Sequence, residues 1–235
     1  MHKIITISRE FGSGGRELGR RLSEKLGFAY YDQEIITEIA KKTQLAEGYV
    51  QNIMESKPIF SYPIHIGVTF QTTGTVINQQ RQAVFREQCN LLKELAEKSD
   101  CVIVGRCGDY ILADYHPYRI FVYSDLKHKM IRCRMKGKPG ENMSDRELKR
   151  SIAGIDKGRR DYYNFVTMQT WGEKSNYDLC INTANVSIKG IVPYLAQMLQ
   201  YSVMVDETDA QEELRKRREE AAAEETPAES PDEEK

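Results

Sequence analysis

The segment Ser8-Arg9-Glu10-Phe11-Gly12-Ser13-Gly14-Gly15-Arg16-Glu17-Leu18-Gly19 gathers glycines, hydroxyls and ionisable side chains between an apolar run and an amphipathic one. Lys3 to Ile7 before it reads as a strand. Leu18, Leu22 and Leu26 after it recur at the helical i, i+4, i+8 spacing, with Gly27 as a stop signal. A strand, a loop of small residues and a helix N-terminus together aim successive backbone N–H groups at one point, and an anion is the natural occupant. Gly12, Ser13, Gly14 and Gly15 let the backbone wrap a phosphate, and Arg16 supplies a charge beside it. An ordinary strand-to-helix turn needs far fewer glycines.

Neither common phosphate-binding pattern fits in full. The dinucleotide pattern GxGxxG matches at Gly12 and Gly14 but meets Glu17 where close helix packing needs a third glycine. Placing Gly15 on the second glycine of the pattern GxxxxGK[ST] puts Glu10 on the first, Arg16 on the lysine and Glu17 on the magnesium-binding hydroxyl. A carboxylate is a good magnesium ligand, so Glu17 can take that role, or it can pair with Arg16 or another arginine and empty the metal site. Arg16 can grip phosphate with its planar fork but cannot follow a transferring phosphoryl group as a compact charge.

Arg106 and Asp109 stand just past the apolar run Cys101 to Val104, where open parallel sheets place their ligands; an ion pair tying a loop down is the competing role. Asp32 follows Phe28 to Tyr31 in the same way, with a strong competing role as the N-cap of the next helix. Arg132 and Arg134, then Arg159 and Arg160, belong to a stretch from Lys127 to Arg160 with 12 Lys or Arg against 4 Asp or Glu. About half of those bases should form a solvated face, and the others can surround several phosphates at once. His65 and His116 have no metal-ligand spacing, and no Ser-His-Asp arrangement is visible.

Elements must hold these residues in place. Short apolar runs alternate with helical patterns, the signature of a parallel sheet with crossover helices. Five strands are expected, at Lys3 to Ile7, Phe28 to Tyr31, Cys101 to Val104, Ile120 to Tyr123 and Leu179 to Ile181. Helices should carry Ile35, Ile36 and Ile39, then Val84, Phe85, Cys89, Leu92, Leu95 and Ala96. Ser144-Asp145-Arg146-Glu147 matches a capping box, so a helix should run from there past Ile152 and Ile155. With the turn Lys136 to Gly140 before it, the basic stretch reads as two helical arms around a hinge. A last helix carries Ile188, Val192, Leu195 and Leu199, with Pro193 blurring its start or kinking it. Lys57 to Asn78 has no clear period and reads as a hairpin or an ordered loop.

The chain of 235 residues, 40% hydrophobic and 29% charged, supports one sizeable core. Its net charge of −1 hides a division: residues 206–235 hold 13 acids and 5 bases, which leaves 29 bases and 22 acids in residues 1–205. The body is basic and suits an anionic partner. The tail, with no large apolar residue beyond Leu214, cannot build a core. No run approaches the ~18 apolar residues of a membrane span, and the start has a strand's length rather than a signal peptide's. Five cysteines without a CxxC argue against disulfides and structural zinc. A soluble, cytoplasmic protein is expected, with no nucleic-acid or membrane partner.

The strings SREFGSGGRELG, YYDQEII, VIVGRCGDYIL, DKGRRDYY and YDLCINT, in that order over roughly residues 3–200, resemble the cytidylate kinase-like family of P-loop kinases. The resemblance implies a three-layer α/β fold with a five-stranded parallel sheet flanked by helices, a phosphate loop after the first strand, and a helical basic lid at about 127–160. The kinase domain would span 1–205 and the acidic tail 206–235. It implies transfer of a phosphoryl group from ATP, with Mg2+, to a nucleoside monophosphate such as cytidylate or a similar small acceptor. Gly12, Ser13, Gly14, Gly15, Arg16 and Glu17 would hold the donor, with Glu17 at the metal. Arg106 would bind the acceptor's phosphate, Asp32 and Asp109 would recognise the rest of it, and Arg16, Arg132, Arg159 and Arg160 would surround the transferring group. Three positions depart from the family pattern: Arg16 for lysine, Glu17 for a hydroxyl, and Val104 where an Asp precedes the Gly-Arg pair. They support an alternative, a nucleotide-binding regulatory protein with little or no kinase activity. A nucleic-acid binder using the basic arms ranks last, because the arms lack interleaved aromatics and any recognition-helix motif.

Overall fold

The computed structural model describes residues 2–55, 72–137, 143–201 and 215–217. Five parallel strands, β1 (Ile4–Arg9), β2 (Ala29–Tyr31), β3 (Cys101–Val104), β4 (Tyr118–Tyr123) and β5 (Leu179–Asn182), lie in the order β2-β3-β1-β4-β5. The central strand β1 is buried along its whole length, which is why it reads as a continuous apolar run rather than an alternating one. Ile4 pairs with Cys101 on one side, and Ile7 pairs with Val104 on that side and Ile120 on the other. The expected strands are all present within a residue or two of their expected ends.

Around the sheet run α1 (Gly15–Leu26), α2 (Glu34–Thr43), α3 (Glu47–Glu55), α4 (Thr72–Lys98), α5 (Gly108–Ile111), α6 (Leu126–Lys136), α7 (Asp145–Thr167) and α8 (Ile188–Tyr201). Leu18, Leu22, Ile35, Ile36, Ile39 and Leu92 are all but fully enclosed, and burying each such side chain is worth about 1.5–3 kcal/mol. α1 ends as its sequence requires: Gly27, at φ 73°, donates its N–H to Ser23 O. α7 begins on the full capping box, Ser144 accepting from the Glu147 N–H while Glu147 accepts from the Ser144 N–H.

Some expectations change. The N-cap of α2 is Gln33, and the Asp32 carboxylate turns to two arginines instead. Thr72 to Asn78 begin the long α4, while residues 57–71 of the ambiguous stretch lie outside the described residues, as does the turn at 138–142. α3 carries no motif in the sequence that announces it. Pro193 sits inside α8 and, lacking an N–H, takes one bond out of the helical ladder there. The chain divides into two compact units, Met1–Ala196 and Gln197–Lys235; of the second, the end of α8 and a helical turn at 215–217 are described. Among the described residues no helix is long and apolar enough to cross a membrane.

Candidate functional site

β1 is the strand at which the sheet order reverses, so the loop leaving its C-terminal end opens into the crevice where such sheets bind ligands. That loop, Glu10 to Gly14, delivers the chain to the N-terminus of α1 with no side-chain cap on the first N–H groups. Gly14 caps the helix in the left-handed region at φ 86°, and a Cβ there would sit 2.2 Å from Ile188 Cδ1. Gly12, at φ 74°, lies against the first turns of α6: a Cβ would come within 3.0 Å of both Cys133 Sγ and Lys129 O. These glycines therefore answer to two needs, backbone conformation and close approach. The fully buried Ser13 turns inward, its hydroxyl donating to Glu10 O at 2.8 Å while its carbonyl accepts from Thr183 Oγ1 at 2.7 Å. What remains facing out is a helix N-terminus suited to an anion.

Cations flank this loop on both sides. Arg132 of α6 donates to Ser124 Oγ at 3.2 Å and to Thr183 O, beside Gly14. Arg16, whose side chain is 62% exposed, pairs with the buried Asp32. Asp32 also faces Arg9 at 3.6 Å, so one carboxylate serves two guanidiniums. Arg9 closes β1 and is buried with its guanidinium over Gly105, whose left-handed backbone at φ 75° disfavours any side chain there. Burial, and after it the Arg159 and Arg106 guanidiniums, pull the Arg9 pKa down, against a smaller upward pull from Asp32. Arg159 of α7 donates to Arg9 O at 3.3 Å and lies over the Phe11 ring. Arg106, in the left-handed region at φ 61°, is buried, and its carbonyl accepts from Gln88 at 2.6 Å. Arg9, Arg106 and Arg159 line a cavity of about 40 Å3 with Ser8, Tyr163 and Trp171.

Other candidates stand elsewhere. Arg160 lies over Trp171 and lines a separate cavity of about 300 Å3 with Phe121, Tyr123 and Lys174. Arg134 pairs with Asp145 across the two arms. Asp109 is buried and accepts from Tyr163 Oη at 2.7 Å; burial pushes its pKa up, against that hydrogen bond. Glu17 has both carboxylate oxygens engaged, one by Lys136 at 2.7 Å and one by Arg21 at 3.0 Å. The Lys136 hydrogen bond holds its pKa below the usual carboxylate range. In this arrangement the Glu17 carboxylate is taken up by two cations rather than open toward a metal, and the described residues contain no group of three His, Cys, Asp or Glu arranged to hold one.

Arg9 and the set Glu10, Lys129 and Asp156 are functional candidates that sequence reasoning passed over. Arg9 had a signal, a charge closing the central strand of a parallel sheet. Asp156 had one too: Leu148, Ile152 and Asp156 share the buried i, i+4, i+8 stripe of α7. Lys129 had none, since α6 shows no clean apolar stripe to interrupt.

Comparisons with known proteins bear on the family and the fold. A search of the curated proteins finds no match to the sequence. Among solved structures, the chain is similar to an uncharacterized protein from Eubacterium ventriosum ATCC 27560, with 25% identity, TM-score 0.63, and 85% of this chain and 99% of that chain covered. It is also similar in fold to shikimate kinase from Bacteroides thetaiotaomicron, with 16% identity, TM-score 0.51, and 84% and 98% of the two chains covered. The model of the cytidylate kinase-like family matches residues 4–185, a span that takes in β1 through β5, the glycine loop and the arginines around it. With its parallel sheet, its anion-ready loop and that match, this chain belongs to the cytidylate kinase-like family and has the P-loop kinase fold of a phosphotransferase.

Proposed function

We propose that the protein transfers the γ-phosphoryl group of ATP to a nucleoside monophosphate of cytidylate type or a similarly small acceptor. One observation carries this reading: two anion-binding devices lie side by side at the C-terminal end of β1, the glycine loop on α1 and the cavity lined by Arg9, Arg106 and Arg159. The loop N–H groups from Gly12 to Arg16 would hold the donor's phosphates, with Arg132 beside them. The cavity would hold the acceptor's anionic group. Phosphoryl transfer needs little covalent help from a protein; positioning and charge stabilisation of a loose transition state do most of the work. An exposed Arg16 can leave Asp32 for a phosphate oxygen, and Asp32 then keeps Arg9 as its partner. ATP arrives with Mg2+ in kinases of this fold, where the ion neutralises part of the phosphate charge.

α6 and α7 would serve as the lid, their outer ends moving in to exclude water when both substrates are bound. Purified protein with labelled ATP, Mg2+ and a panel of nucleoside mono- and diphosphates, shikimate and neutral sugars tests the reading. Label should pass to a nucleoside monophosphate. Transfer only to an uncharged acceptor would remove the anion cavity from the mechanism. The ion pairs that occupy Arg16 and Glu17 favour a second reading, a nucleotide-binding regulator. ATP binding without any label transfer across the panel would select it.

A further inference from the structure

Behind the glycine loop, on the side away from its outward-facing N–H groups, lies a buried ionic cluster centred on Lys129. Lys129 Nζ, on the first turn of α6, is 2.7 Å from Glu10 Oε2 and 2.9 Å from Asp156 Oδ2. The lysine and aspartate side chains are only 9% and 10% exposed. The other Asp156 oxygen accepts the backbone N–H of Phe11 at 2.6 Å, and Glu10 accepts the N–H of Ser124 at 3.2 Å. One ammonium thus joins the first two residues of the phosphate loop, the start of α6 and the middle of α7. Taking such charges out of water is costly, and apolar side chains of similar volume would hold three elements together at least as well. What apolar side chains could not do is fix the direction of the Phe11 N–H and of Glu10, and these set the course of the backbone into Gly12. The same turns of α6 meet Gly12 from behind, through Lys129 O and Cys133 Sγ.

We infer that Lys129 is a positioning residue for phosphate binding: with Asp156 and Glu10 it holds the glycine loop in its anion-ready shape and anchors both arms of the basic stretch to that loop. The inference rests on the reading of Glu10 to Gly14 as a phosphate loop. The two arms are held to the loop at different points, α6 at Lys129 and α7 at Asp156.

Two readouts test it, one of which needs no ligand. Lys129→Met keeps the apolar stem and removes the ammonium, and it is paired with Glu10→Gln so that fewer buried charges are left unpartnered. Asp156→Asn is a milder variant that keeps an oxygen for the Phe11 N–H. In the ligand-free variants, hydrogen exchange of the amides from Phe11 to Gly14 should quicken by about tenfold or more, while exchange in β3 and the last turns of α4 stays at wild-type rates. Pyrophosphate and ATP affinities measured by calorimetry should fall by about tenfold or more. If the double variant does not fold, Asp156→Asn decides the matter by the same two measurements. Wild-type loop exchange in a folded variant would overturn the inference. So would quickening spread equally over β3 and α4, since that marks general loss of stability. A wild-type protein that binds neither pyrophosphate nor ATP would sink the phosphate-loop reading itself, and the exchange measurement would still decide the role of Lys129.

Discussion

At the scale of single residues, the site is governed by carboxylates shared among more cations than they can neutralise. Asp32 faces both Arg9 and Arg16, and the exposed Arg16 is the partner free to change sides. A charge-assisted contact is worth roughly 1.5–3 kcal/mol, but Arg16 must give up Asp32 to make one, so Arg16→Ala should weaken ATP binding by only about tenfold. Calorimetry that finds unchanged affinity would place Arg16 outside the donor site. Asp109 makes the opposite case, a carboxyl whose burial raises its pKa. Between the ordinary carboxylate range and that raised value the folded protein keeps a proton the unfolded chain has lost, so stability falls as pH rises through the window. Urea midpoints between about pH 4 and pH 7 should show this slope in the wild type and lose it in Asp109→Asn, where Tyr163 keeps an oxygen to bond. An identical slope in both proteins would mean that other groups set it. The glycine loop was legible because its composition is rare. Arg9 was legible only as a charge closing the central strand, since a strand pattern does not show that its guanidinium lies over Gly105 from another strand's end.

At the scale of elements, Glu17 shows how a helix of the basic stretch meets the donor side of the fold. Its carboxylate joins Arg21 of its own helix to Lys136 at the far end of α6. Glu17→Gln should therefore leave the magnesium dependence of ATP binding unchanged and quicken hydrogen exchange in the last turn of α6. A rise in the magnesium requirement would make Glu17 a metal ligand instead of a tie between α1 and α6. Strand positions were readable from apolar runs because a parallel sheet buries both faces of each strand. The capping box of α7 was readable because its bonds are local, lying within three residues. What the sequence hid was non-local: that Asp32 abandons a helix cap for two arginines, and that Lys129 and Asp156, 27 residues apart, meet behind the loop.

For the whole molecule, the division of charge along the chain has a kinetic consequence. Residues 1–205 carry an excess of seven bases and residues 206–235 an excess of eight acids, so the intact chain approaches an anion with almost no net attraction. Cleaving the chain after Val205 removes only residues unable to build a core, and the melting temperature should change little. The rate at which ATP associates should rise several-fold at low ionic strength, because the remaining basic body draws in a polyanion, while dissociation stays nearly constant. Raising salt to about 0.5 M shortens the screening length to a few ångströms and should bring the two proteins to the same association rate. Stopped-flow measurements over a salt series separate the possibilities. A rate difference that persists at high salt would point to a short-range contact made by the tail instead of its long-range field, and a large fall in melting temperature would show that the tail contributes to folding.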